Sequence, residues 1–179
     1  MAYPKPQEMD MPEKQTVERA RRDKRQGKAA STQAGEFVKE EMDHIREGKH
    51  GARSARQAIA IGLSKARRAG VELPPPGRGK SSERTRKSAA RDYARGHGAP
   101  ARRKSTAKRS RASSQALKRE GSGAASHRAL AKQASGAARR RTRGERSAAA
   151  RRAVRTKGAV ERSRAAKKAA RTREAHASA

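Results

Sequence analysis

The side chains of this chain that offer chemistry in quantity are its guanidinium and ammonium groups, and they come in runs. Arg102-Arg103-Lys104, Lys108-Arg109, Arg139-Arg140-Arg141 with Arg143, Arg151-Arg152 with Arg155, and Lys167-Lys168 with Arg171 and Arg173 punctuate the C-terminal half. A guanidinium grips phosphate with a planar, bidentate fork, and an ammonium acts on it as a point charge. Arginine outnumbers lysine 32 to 16, and 48 basic residues against 17 acidic ones leave a net charge of +31 over 179 residues. A field of that size attracts polyanions and holds a polyphosphate by releasing its condensed counterions. Arg78 and Lys80 add a smaller element, because Pro76-Gly77-Arg78-Gly79-Lys80 looks like the core of a minor-groove AT-hook. There Lys80 replaces the second arginine and the trailing proline is missing. All of these cations are candidate nucleic-acid contacts.

Other chemistries find less support. Cysteine is absent, and His44, His50, His97, His127 and His176 show no familiar metal-ligand spacing, so no metal site and no cofactor are expected. Gly79-Lys80-Ser81 ends like a phosphate-binding loop, but Pro74 stands where the first glycine belongs. No Ser/His/Asp set can be assigned to a rigid scaffold, so enzyme activity is not expected. Glu36, Glu40, Asp43 and Glu47 recur at helical spacing as an acidic ridge. That ridge is either a solvated face or a surface that folds back against the basic tail.

The elements that must position these groups are few. Leu, Ile, Val and Phe make up about 7% of the chain, far below the level of a charged chain that folds around a large core. The expected fold class is therefore mostly α and disordered: a small helical hairpin followed by a long basic Ala/Arg-rich tail with transient helices. Residues 1–30 form a flexible segment in which Pro12 opens a short, fraying helix through Val17 and Ala20. Residues 31–73 form the hairpin, with Phe37, Val38, Met42, Ile45, Ile59 and Leu63 as its core. Ser31 or Thr32 is expected to cap the first helix, Gly48 to end it, Ser54 and Gln57 to box the second, and Gly70 to stop it. Ile61 points away from Ile59 and Leu63 and needs cover, from within the chain or from a second copy in a weak homodimer.

Residues 74–80 are a Pro/Gly linker, and residues 81–179 are the basic low-complexity tail. Two near-repeats run through that tail. Ala116–Ala125 recurs at Ala129–Ala138, and Glu145–Ala159 recurs at Glu161–Ala175 with 9 of 15 positions identical.

The stretch from about Met11 to Pro76 contains Lys49-His50-Gly51 and then Gln57-Ala58-Ile59-Ala60-Ile61-Gly62-Leu63-Ser64. It resembles a family of small basic bacterial proteins with an uncharacterised domain, some labelled plasmid-stabilisation or DNA-binding proteins. The tail is similar in composition to the Ala/Lys/Arg-rich tails of linker-histone-like bacterial nucleoid proteins. If the second hairpin helix read DNA as a recognition helix, it would present Arg56, Lys65, Arg67 and Arg68, but it lacks base-reading side chains apart from Gln57. The expected function is thus sequence-tolerant, charge-driven DNA binding of a nucleoid-associated kind. RNA or ribosome association is the alternative, and a protein-interaction hairpin with a localising tail is a third reading. No membrane partner is expected, because the chain has no long apolar run, and the expected location is the cytoplasm and nucleoid.

Overall fold

The computed structural model describes residues 12–99, 107–156 and 158–177. Among them lie eight α-helices: α1 Lys14–Arg25, α2 Ala30–Arg46, α3 Ala55–Arg68, α4 Glu83–Gly96, α5 Ala107–Arg119, α6 His127–Arg139, α7 Arg143–Thr156 and α8 Ala159–Ala177. A short 3₁₀ turn, Ser122–Ala125, follows α5. The protein is all-α, and the expected hairpin with a disordered tail is overturned. Beyond Pro76 the described residues form five helices, where a disordered tail with transient helices was expected. The chain divides into two compact units, Met1–Gln133 and Ala134–Ala179.

Local chemistry explains where the helices start and stop. Ser54 accepts a hydrogen bond from the Gln57 N–H at 3.3 Å, as its spacing predicts, while the Gln57 side chain reaches back to the Arg53 N–H. Neither Ser31 nor Thr32 caps α2; that helix starts a residue earlier, behind Ala29, without a side-chain cap. Ser82 caps α4, Ser126 caps α6, and Thr142 with Glu145 form a reciprocal capping box on α7. Gly48 and Gly70 both take positive φ just past a helix end, as expected of glycine stops. Gly121 breaks the chain after α5, whereas its repeat counterpart Ala134 lies inside α6. Glycine is about 1 kcal/mol worse than alanine in a helix, so one repeat unit yields a helix end and its copy a continuous helix.

In the first unit α2 and α3 pack against each other, and each acquires further neighbours. One cluster joins Ala20 of α1, Ala34 and Phe37 of α2, Ala66 of α3 and Val71, flanked by Val17, Leu63 and Leu73. The other joins Met42 and Ile45 of α2, Ala52, Ala58 of α3, and Ala124 and Ala125 of the 3₁₀ turn, flanked by Val38, Ile59 and Leu130. The six expected core residues therefore belong to two clusters, with Phe37, Met42 and Ile45 buried and Val38, Ile59 and Leu63 half-buried. Far from fraying, α1 is packed onto α2 by Thr16 and Ala20, which are buried.

The apolar count misled because it omits alanine. Among the described residues, nine of the thirteen buried hydrophobic side chains are alanines, at 20, 34, 52, 55, 58, 66, 89, 124 and 125. Small side chains let helix axes approach, so contact area comes from backbone as well as from side-chain bulk. Gly62 shows how near α2 and α3 come, since a Cβ there would lie 2.7 Å from the Val38 Cα. The side of α3 that carries Ile61 also carries Ser64, whose hydroxyl donates to Asp92 of α4. That stripe, for which a second copy was one candidate cover, lies beside α4 of the same chain, and Ile61 is half-buried. No described helix is long and apolar enough to cross a membrane.

Candidate nucleic-acid interface and a buried polar cluster

The second unit presents cations without a core. Residues Ala134–Ala179 hold 15 Lys and Arg against 3 Asp and Glu. No described side chain of α7 or α8 is buried, and even Val154 and Val160 are 51% and 65% exposed. The two near-repeats beginning at Glu145 and Glu161 become these two helices, each copy starting two residues after its helix does. Ala and Arg are strong helix formers, and Glu145 and Glu161 in the first turns complement the helix dipoles. The repeat is therefore a duplicated basic helix.

The candidate contacts Arg78, Lys80, Lys108, Arg139, Arg140, Arg141, Arg143, Arg151, Arg152, Lys167, Lys168, Arg171 and Arg173 are all exposed. Arg109 and Arg155 fall within α5 and α7, while Arg102, Arg103 and Lys104 lie outside the described residues. Arg78 and Lys80 sit in a tight turn closed by the Lys80 N–H on the Gly77 carbonyl, with φ +77° at Gly79. An AT-hook needs an extended strand there. On α8, Arg164, Lys167, Lys168 and Arg171 stand at i, i+3, i+4 and i+7 and so share one face. Arg164 is absent from the candidates drawn from the sequence, where only transient helices were expected in this stretch; the helical spacing was the available signal.

α3 is not a recognition helix of the kind considered. Lys65 is 1% exposed and Arg67 is 8% exposed, both turned inward. Arg67 Nε donates to the Leu73 carbonyl; burial presses its pKa below the ordinary arginine value, and the Asp92 carboxylate opposes that shift. The acidic ridge is not fully solvated, and its described ion pairs are made within the first unit. Glu36 pairs with Arg19 of α1 at 2.7 Å, Asp43 with Lys39 and Arg46, and Glu47 with Lys49. Glu40 is buried, where it accepts from the Glu13 N–H and pairs with Lys65.

Around that last pair lies a polar cluster inside the first unit. Lys65 Nζ stands 3.3 Å from Glu40 Oε1 and 3.0 Å from Glu41 Oε2. Glu41 Oε1 is 3.5 Å from His50 Nε2, and Glu41 is fully buried. His44, one helical turn beyond Glu41, bonds through Nε2 to Glu13 Oε1 at 2.8 Å. That hydrogen bond, with help from Lys49, holds the Glu13 carboxyl below its ordinary pKa. The histidine spacing gave no hint of this group. Its signal was Glu41-x-x-His44 on one helix face, which a search confined to histidine and cysteine passes over.

A smaller polar tether fastens α4 to the segment after α3. Tyr93 Oη donates to Glu72 Oε2 at 2.7 Å, His97 Nε2 lies 3.0 Å from Glu72 Oε1, and the two rings stack at 4.0 Å. His97 Nδ1 donates to the Tyr93 carbonyl at 2.8 Å, so a proton on both ring nitrogens is favoured and the His97 pKa rises. Glu72 is lowered by Tyr93 and then by His97. The His97 contribution is present below the unfolded histidine value of about 6.5 and is lost as pH climbs through the raised folded value. The Glu72 contribution is present above the unfolded carboxylate value of about 4.3 and is lost as pH falls through the lowered one. We expect NMR titration of His97 to give a midpoint above the ordinary value that drops in Glu72→Gln. An unchanged midpoint in that variant would refute the tether.

Comparison with protein-family models, with curated proteins and with solved structures returns no match to this chain.

Proposed function

We propose that the protein binds duplex DNA without sequence preference, using the exposed cationic faces of α7 and α8. The carrying observation is that these two successive helices bury no described side chain while presenting Arg143, Arg151, Arg152, Lys167, Lys168, Arg171 and Arg173 to solvent. A helix that is polar all round gains little from the rest of its own chain, and its like charges repel. A polyphosphate removes that repulsion and is the partner such a surface fits. The described aromatics support duplex backbone over unpaired bases as the target. Phe37 is buried and Tyr93 is engaged with Glu72 and His97, so neither offers a face on which bases stack.

The test is a salt titration. Binding to random-sequence duplex should weaken with salt at a slope of about −0.9 per phosphate neutralised. Changing Arg151, Arg152, Lys167, Lys168, Arg171 and Arg173 together to Gln should flatten that slope by about 5 if each meets a phosphate. An unaltered slope would remove α7 and α8 from the interface. Equal competition by an A-form RNA duplex would shift the reading to RNA.

A further inference from the structure

Glu41, His44 and His50 are all buried, and one ligand atom from each lies within 4.8 Å of the others. They belong to neither apolar cluster, and phosphate binding has no use for them. Two observations make the group more than a chance meeting of polar side chains.

The first is charge. Lys65 is the one ammonium at 1% exposure serving two carboxylates, Glu40 and Glu41, that are themselves buried. One negative charge in that set is left over, and an uncompensated buried charge is costly. The second is geometry. Neither oxygen of Glu41 has a hydrogen-bond partner, although the side chain is 0% exposed and Lys65 stands close to Oε2. Oε1 faces His50 Nε2 instead. His50 Nδ1 lies 3.2 Å from the Gly51 carbonyl, so Nδ1 is turned away from the cluster and Nε2 is the ring nitrogen that faces Glu41. A ring nitrogen and a carboxylate oxygen that face each other at 3.5 Å, with no hydrogen bond at the oxygen, are spaced as two ligands of one cation are.

We propose that Glu41, His44 and His50 bind one divalent transition-metal ion of the zinc class. Two imidazoles and one carboxylate form a recognised ligand set for zinc, with a fourth position left to water. Bonds of about 2.0–2.1 Å in a tetrahedron put ligand atoms about 3.3 Å apart. The Glu41–His50 separation of 3.5 Å already approaches that. Glu41 and His44 come from one face of α2 at i and i+3, and His50 comes from the loop behind Gly48. Outer acceptors are in place as well. Glu13 Oε1 holds Nε2 of His44, and the Gly51 carbonyl holds Nδ1 of His50, each orienting its ring from behind. The ion would pin the loop that seats α5, because the Gly51 N–H donates to the Leu117 carbonyl at 2.9 Å.

Full-length protein stripped with a chelator and titrated with Zn²⁺ alone should take up one equivalent saturably and melt at a higher temperature. Replacing Zn²⁺ with Co²⁺ in the unmutated protein should broaden the ring resonances of His44 and His50 while sparing His97 and His127. His50→Gln should weaken Zn²⁺ binding by more than about 100-fold, since loss of an outer-shell partner alone costs 10–100-fold. His127→Gln, at an exposed position, should leave binding unchanged. The Co²⁺ measurement needs no variant, so a misfolded His50→Gln leaves the proposal testable. Absence of saturable binding at micromolar metal would overturn it and assign the balancing charge to a proton. Broadening at His97 or His127 instead of His44 and His50 would overturn it too.

Discussion

Replacing Lys65 with Met should destabilise the protein by about 3–5 kcal/mol, the cost of leaving buried carboxylates without their counter-ion. Lys65 is among the largest fully buried side chains, and its Nζ lies within 3.3 Å of both Glu40 and Glu41. Methionine keeps most of the volume of the stem, so the loss reports charge rather than a cavity. Adding Glu41→Gln to Lys65→Met should recover part of the loss, because one of the two stranded charges is then gone. The exposed i,i+4 pair of Lys87 with Glu83 provides the contrast. Lys87→Met should cost no more than about 0.5 kcal/mol. Urea unfolding of the variants checks all of this, and similar losses for Lys65→Met and Lys87→Met would contradict the buried pairing.

Gly51→Ala should cost about 3 kcal/mol and undock α5 from the loop between α2 and α3, an overpacking effect at the upper end of its usual range. A Cβ at Gly51 would lie 1.8 Å from the Glu120 carbonyl oxygen and 2.3 Å from its carbon. These are backbone atoms at the end of a helix, so a rotamer change relieves nothing. The same loop gives two N–H groups to this end of α5, from Gly51 to Leu117 and from Ala52 to Gly121 at 3.3 Å. Separation would strand both. Amide exchange should accelerate across residues 111–125 in the variant while α1 and the α1-facing half of α2 stay protected. Wild-type exchange in that segment would show that the Gly51 contact does not hold α5.

Much of the central pair of helices is legible in the sequence because its signals are local. The 3.6-residue spacing of Phe37, Met42 and Ile45, the Ser54 cap and the Gly48 and Gly70 stops each act within one helical turn, and all appear where their chemistry places them. The net charge and its concentration towards the C-terminus are likewise properties of the chain alone. What covers those helices is not local. Ala124 and Ala125 reach Met42 and Ile45 from about eighty residues away, and an alanine carries no mark that separates a packing contact from a filler in a basic helix.

The buried cluster was hidden for a related reason. Glu40, Glu41 and Lys65 read as surface residues, since such side chains are almost never buried unless paired. Their pairing depends on α2 and α3 lying close enough for Gly62 to meet Val38, and no spacing within either helix announces it. The sequence by itself determined helix starts, helix stops and the sign of the field, because propensity, capping and charge act along the chain. Only the tertiary structure decided which small residues become core and which charges meet in the interior, because burial belongs to pairs of segments rather than to either one.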